Sequence, residues 1–186
     1  MEKTRCAWST KDQLYMDYHD NEWGKPVKDD KVLFEFMILE FFQAGLSWQT
    51  ILKKRENFRK AFADFEVEKV ANFDESKVDE LAQNEGIIRH RGKISAAINN
   101  AKLFIEIQNE FGSFSDFIWA YVNHQPIINH WNSIKEVPAT TAISDQIAKD
   151  LKKRGFKFFG STIIYAHMQA TGMVNDHTKD CFCYQK

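Results

Sequence analysis

Three groups of residues have the types and spacing that chemistry requires. Cys6 and His19 are separated by twelve intervening residues near the start of the chain, and His177 and Cys181 by three near its end. Two thiols and two imidazoles form the donor set of a tetrahedral zinc site, and His-x3-Cys directs both ligands to one ion on a short turn. Cys183 offers the same chemistry as Cys181, so spacing leaves these two as alternative ligands. Four protein ligands close the coordination sphere, so the expected metal is structural. The competing reading is two buried thiols and two surface histidines.

Glu40 forms the second group. One helical turn away lie Phe36, Met37, Gln43 and Ala44, with no lysine or arginine three or four positions off. A carboxyl on so apolar a face needs a partner from elsewhere. Glu35 has Lys31 four residues before it and is predicted to form an ordinary pair. Trp8, Tyr15, Tyr18, Trp23 and Trp48 crowd the same part of the chain. Each ring alone reads as core. Flat rings with a lone carboxylate are also what a purine pocket requires, namely stacking faces and an acceptor for an exocyclic amino group.

The third group is basic. Gly155 closes one helix, Gly160 opens the next, and Lys152, Lys153, Arg154 and Lys157 lie around the turn. A tight helical hairpin presents free backbone N–H groups that bind phosphate beside those cations, as in the helix-hairpin-helix DNA-binding element. Gly86 to Lys93, carrying Arg89, Arg91 and Lys93, repeats the pattern. Two such clamps predict attachment to a duplex without reading its sequence. The plain alternative is that both knots are solvated helix ends, where cations offset the macrodipole.

Helical periodicity positions these groups. Asp30 to Gly45 is apolar on almost every side and is predicted to be the central helix, and Ser47 is predicted to cap a second helix through Phe62. Short helices are expected over Val67 to Asn72 and Ser76 to Asn84. A long one runs from Gly92 to Phe111, and one capped by Ser115 reaches Val122. Two more cover Ser144 to Arg154 and Gly160 to Ala170. No sustained alternation calls for a sheet, so the class is all-α.

At 186 residues, 44% hydrophobic and 27% charged, the chain can bury a core unaided, and disorder is excluded. No apolar run approaches the roughly 18 residues that cross a bilayer. No signal peptide is legible, and three cysteines at the chain extremes suit a reducing compartment, so a cytoplasmic, membrane-free protein is expected. The net charge of −1 confines any nucleic-acid footprint to one face.

Seven runs in one order resemble the bacterial 3-methyladenine DNA glycosylase I family. They are Tyr18 to Gly24 (YHDNEWG), Gln43 to Trp48 (QAGLSW), Leu52 to Asn57 (LKKREN), Gly86 to Lys93 (GIIRHRGK), Phe117 to Pro126 with its VNHQP, Lys152 to Phe158 (KKRGFKF) and Val174 to His177 (VNDH). The resemblance spans nearly the whole chain. It implies a helix-hairpin-helix glycosylase fold, one functional unit over residues 1–186 made of two helical lobes. The termini would share one lobe, joined by zinc, and roughly residues 30–165 would carry the DNA-binding helices.

It also implies ligands at Cys6, His19, His177 and Cys181, which selects Cys181 over Cys183. Its base pocket falls on Glu40, Tyr18 and Trp48, with Trp8, Tyr15 and Trp23 as further lining, and its duplex-inserting loop falls on Gly45 and Leu46. The implied partner is double-stranded DNA containing alkylated adenine, the product is free 3-methyladenine, and the protein is expected to act as a monomer. Many members of the wider superfamily carry a catalytic aspartate where this chain has Asn175, with Asp176 adjacent; the similar family lacks it too. Ionised Glu40 is the expected catalytic group. A non-enzymatic module that holds alkylated DNA through the same pocket is the alternative function, and a zinc hydrolase is disfavoured because it needs an open metal position.

Overall fold

The computed structural model describes residues 3–10 and 12–185. Nine α-helices follow one another among them: α1 (Gln13–Asn21), α2 (Asp30–Gln43), α3 (Trp48–Ala61), α4 (Val67–Ala71), α5 (Glu75–Gln83), α6 (Arg91–Phe111), α7 (Phe114–Trp119), α8 (Ala142–Lys153) and α9 (Ser161–Ala170). None is long and apolar enough to cross a membrane.

α2 lies at the centre. Its residues from Leu33 to Phe42 are all buried, as a helix apolar on every side requires, and it packs against α3, α6, α7 and α9. Phenylalanines fill the main core, with Phe34 against Phe104 at 5.2 Å and Phe42 against Phe58 at 5.0 Å between ring centroids. A second cluster gathers Cys6, Tyr15, Tyr18, Trp23, Phe36, Leu52, Ala170 and Cys181, bringing the two ends of the chain together.

Most helix starts follow the expected capping chemistry. Ser47 Oγ accepts from Thr50 N at 3.2 Å, and Asp29 caps α2 by accepting from Val32 N at 3.0 Å. Three starts lie elsewhere than the sequence predicts. Asp74 caps α5, so that helix begins at Glu75; Thr141 caps α8 in a capping box with Ser144, two residues early. Ser113, not Ser115, caps α7, because the Asp30 carboxylate accepts from both Phe114 N and Ser115 N at 2.8 Å and fixes that turn. α2 ends at Gln43, two residues short of the expected Gly45. The chain also holds a parallel pair, β1 (Ile127–Ile128) with β2 (Val174–Asn175), too short to leave a period in the sequence.

Candidate active site

α1 carries two functions on two faces. Tyr15 and Tyr18 face one cavity, while His19, fully buried, faces the chain termini. The cavity encloses about 290 Å³. Trp8, Tyr15, Tyr18, Trp23 and Trp48 form its aromatic walls and Glu40 lies within it, so the structure brings together every residue expected of the pocket. Trp8 meets Trp23 edge-on at 5.0 Å and Tyr15 at 5.4 Å; Tyr18 lies 5.6 Å from Trp48. Gln43, Ile134, Ala166 and Gln169 complete the lining and were not singled out from the sequence. Gln43 was visible there as the residue one turn beyond Glu40 and as the first of the QAGLSW run, with no role in the pocket assigned to it.

Glu40 is 4% exposed, and no described residue donates a hydrogen bond to it. Burial alone pushes its carboxyl up to about 8. Burial favours the neutral acid, so an ionised Glu40 is favoured only when a cation stands beside it. Tyr18 is raised by burial, and the Glu40 charge adds to that effect. The indole Nε1 of Trp48 is buried and has no partner among the described residues.

Glu35 does not pair with Lys31. Lys31 reaches Glu66 at 2.7 Å, and Glu35 accepts from Arg55 at 2.7 Å and Arg59 at 3.0 Å. Arg55 also binds Glu22 at 2.7 Å, locking α3 to α2 and to the end of α1.

At the termini, ligand atoms of Cys6, His19, His177 and Cys181 all lie within 4.8 Å of one another, every residue buried. Cys6 Sγ is 3.6 Å from His177 Nδ1, and Cys181 Sγ is 3.4 Å from His19 Nε2 and 3.5 Å from His177 Nδ1. A tetrahedral cation with sulfur at about 2.3 Å and nitrogen at about 2.0–2.1 Å places neighbouring ligand atoms roughly 3.4–3.8 Å apart, so the set fits one. Each histidine's other nitrogen is also directed. His19 Nδ1 lies 2.9 Å from Asp20, which Arg5 holds below the usual carboxylate range, and His177 Nε2 donates to Trp23 O at 3.2 Å. Such outer contacts set the tautomer a metal ligand needs. Cys183 lies near His19 and Asp20, outside the group of four. The Trp23 ring packs against His177 at 4.7 Å, so a pocket wall rests directly on the cluster.

Asp176 is fully buried and accepts four hydrogen bonds, from Asn129, Trp131, Tyr165 and Gln169. Asn175 Oδ1 accepts from His177 N at 3.2 Å and shapes the turn that delivers His177. Both groups are committed to the scaffold.

The two basic turns approach each other where the His90 and Phe158 rings lie 6.3 Å apart. Lys93 is buried, its Nζ donating to Phe42 O at 3.3 Å and Ala44 O at 3.4 Å, where it caps the C-terminus of α2. Arg91 engages Asp79 and Glu75, and Arg154 engages Glu110 at 2.6 Å. Arg89, Lys153 and Lys157 are exposed, as are Gly45 and Leu46, where Gly45 turns at φ +83° with open space around it. Gly155 turns at φ +96° and accepts through its carbonyl from Asn99, and Asn100 clasps both backbone groups of Lys157 at 2.9 Å. Gly160 opens α9 with no side chain capping its first N–H groups.

The structure is thus a helical protein with an aromatic cavity around a solitary carboxyl, an exposed loop at Gly45 and Leu46, and a helical hairpin whose second helix starts without a side-chain cap. The Methyladenine glycosylase family profile matches residues 8–184, and the chain belongs to that family. It is 53% identical over 180 residues to DNA-3-methyladenine glycosylase 1 of Escherichia coli strain K12, covering 97% of this chain and 96% of that one. A crystal structure of 3-methyladenine DNA glycosylase I superposes with a TM-score of 0.95 at 52% identity, covering 98% of this chain and all of the other. The Staphylococcus aureus enzyme, solved to explain 3-methyladenine recognition, gives 0.94 at 41% identity over 98% and 97% of the two chains.

Proposed function

We propose that the protein excises 3-methyladenine from alkylated double-stranded DNA, releasing the free base and leaving an abasic site. The observation that carries this reading is Glu40, a buried carboxyl with no donor inside an aromatic cavity. Methylation at N3 leaves adenine positively charged while still bonded to deoxyribose. A cation entering the cavity reverses the balance that keeps Glu40 neutral, because an opposite charge favours the carboxylate. The anion then accepts from the amino group, Trp48 stacks with a cation-π contribution of about 1–2 kcal/mol, and Tyr18 meets a ring edge. When the glycosidic bond breaks, its electron pair goes to the base, which leaves neutral; water adds to the sugar carbon and loses a proton. The base is a good leaving group, so no strong nucleophile is needed, and Asp176, filled by four donors, supplies none.

In this reading Gly45 and Leu46 enter the duplex where the flipped nucleotide was, while Arg89, Lys153, Lys157 and the Gly155 to Gly160 hairpin hold phosphates. Arg91, Arg154 and Lys93 support these turns through the contacts described above. Zinc suits the cluster at the termini, where it would fasten the lobe carrying Trp23. The free thiols suit a reducing cytoplasm, and a single chain carries every part, so the protein acts as a monomer.

Incubation with methylated duplex DNA tests the activity. Free 3-methyladenine should appear, with strands that break only after alkali. Tight binding of methylated DNA without release of base would make the protein a recognition module instead. Chelation, or Cys6→Ser, should lower thermal stability by several degrees with bound zinc lost; a folded, metal-free protein that had lost only the bond-breaking step would overturn the structural assignment.

A further inference from the structure

Two glutamines line the cavity, and the chemistry of their partners fixes which way each amide points. Gln169 lies on α9 at the cavity wall, and its Nε2 donates to Asp176 Oδ2 at 2.8 Å. That oxygen also accepts from Tyr165 OH at 2.7 Å. The other carboxylate oxygen accepts from Asn129 Nδ2 at 2.7 Å and from the Trp131 indole, which can only donate, at 2.8 Å. With four donors converging on it, Asp176 is an acceptor, so the amide nitrogen of Gln169 must face it and the carbonyl must point away. No described residue donates to that carbonyl. Gln43 repeats the arrangement: its Nε2 donates to Leu46 O at 2.7 Å, again an acceptor only.

We propose that Gln169 is a specificity-determining residue of this pocket: its side-chain carbonyl, positioned by Asp176, is a fixed acceptor for an amino hydrogen of the base and turns away purines that carry a keto oxygen there. The proposal rests on the glycosylase reading above and concerns which alkylated purine the site takes. Glu40 alone discriminates poorly. As a neutral acid it can donate to a keto oxygen, and as an anion it can accept from an amine. The Gln169 amide has no such freedom. Turning it over would set its carbonyl against the Asp176 carboxylate and remove one of that group's four donors. A keto purine would leave two acceptors facing each other with neither paired, the arrangement that gives hydrogen-bonding sites their strongest discrimination. Asp176 acts through Gln169 and touches no base, so it is a positioning residue.

The experiment compares release of 3-methyladenine and 3-methylguanine from the same methylated duplex by the full-length, metal-loaded protein. Gln169→Leu should lower kcat/KM for 3-methyladenine about tenfold and leave 3-methylguanine within twofold, so the ratio falls tenfold. In Asp176→Asn the new amide can donate to the Gln169 carbonyl and let Gln169 present its NH2 to the cavity. The ratio should then fall further, with 3-methylguanine release rising in absolute terms. A merely structural role for either residue would slow both bases equally. Should Asp176→Asn fail to fold, Gln169→Leu and Gln169→Met decide the matter. Variants that melt as wild type does and keep its ratio within twofold would overturn the proposal. A wild-type protein that releases neither base would overturn the glycosylase reading itself.

Discussion

Two buried carboxyl groups flank one cavity under opposite conditions. Asp176, at the turn after β2, receives four hydrogen bonds from residues spread over positions 129 to 169. Glu40, on the central helix, receives none from the described residues and is pushed up to about 8 by burial. A carboxylate whose lone pairs are filled by its own chain is a tie between elements. One whose lone pairs are unfilled is destabilising until something arrives to fill them. Asn175 and Asp176 are both spent on the scaffold.

Removing the filled anion should have the larger effect on folding. Asp176→Ala leaves buried donors on Tyr165, Trp131, Asn129 and Gln169 without an acceptor, and a loss on the order of 4 kcal/mol is expected. The shift of the urea midpoint, read with its slope, measures it. A loss below about 1 kcal/mol would mean that the four donors find other partners and that Asp176 is not the tie described.

Removing the unfilled carboxyl should do the reverse for stability while damaging catalysis. Glu40→Gln is expected to lower kcat/KM for 3-methyladenine release roughly 100-fold, about 2.7 kcal/mol of transition-state stabilisation. Its stability follows from proton binding. The native carboxyl keeps its proton up to about 8, whereas the unfolded chain releases it near the ordinary value of 4.5. Between these values the native state binds more protons, so wild-type stability falls as pH rises through that window. The glutamine variant lacks this slope. Its melting temperature should match wild type near pH 4.5 and exceed it by several degrees at pH 8, and equal melting at both pH values would show that Glu40 already has a partner.

The contrast also marks what a single sequence can disclose. Glu40 was legible because its loneliness is local: four neighbours at helical spacing, none of them cationic. The donor set Cys6, His19, His177 and Cys181 was legible by residue type; spacing could not choose Cys181 over Cys183, the family resemblance did, and the fold likewise places Cys183 outside the group of four. Asp176 was not legible, since its four partners come from two separate segments, the loop at Asn129 and Trp131 and helix α9, and no short window contains them. Lys93 read as a DNA cation because nothing near it in sequence reveals that the end of α2 lies above it and needs a donor. Ser115 read as a cap because the Asp30 carboxylate that sets the true start of α7 is 84 and 85 positions from the amides it binds. Eight of the nine helices among the described residues were readable from periodicity and α1 was not; starts failed where a local cap, Asp74 or Thr141, lay just upstream and where the distant Asp30 chose the boundary.

His167 on α9 is a third buried ionisable group, and it separates loneliness from function. Both ring nitrogens lack partners among the described residues, yet it is not among the residues that line the cavity. Burial lowers it to about 4 against an ordinary 6.5, so it is neutral at pH 7. The native state therefore binds fewer protons than the unfolded chain between pH 6.5 and 4, and stability drains away as pH falls through that range. His167→Leu removes two unsatisfied polar atoms at similar volume. It should add about 1 kcal/mol at pH 7, flatten the acid limb of the stability curve, and leave release of 3-methyladenine unchanged. Loss of activity on this substitution would mean that an unpartnered buried group matters to the chemistry wherever it lies. Unchanged activity would assign that distinction to Glu40 because of its place in the cavity.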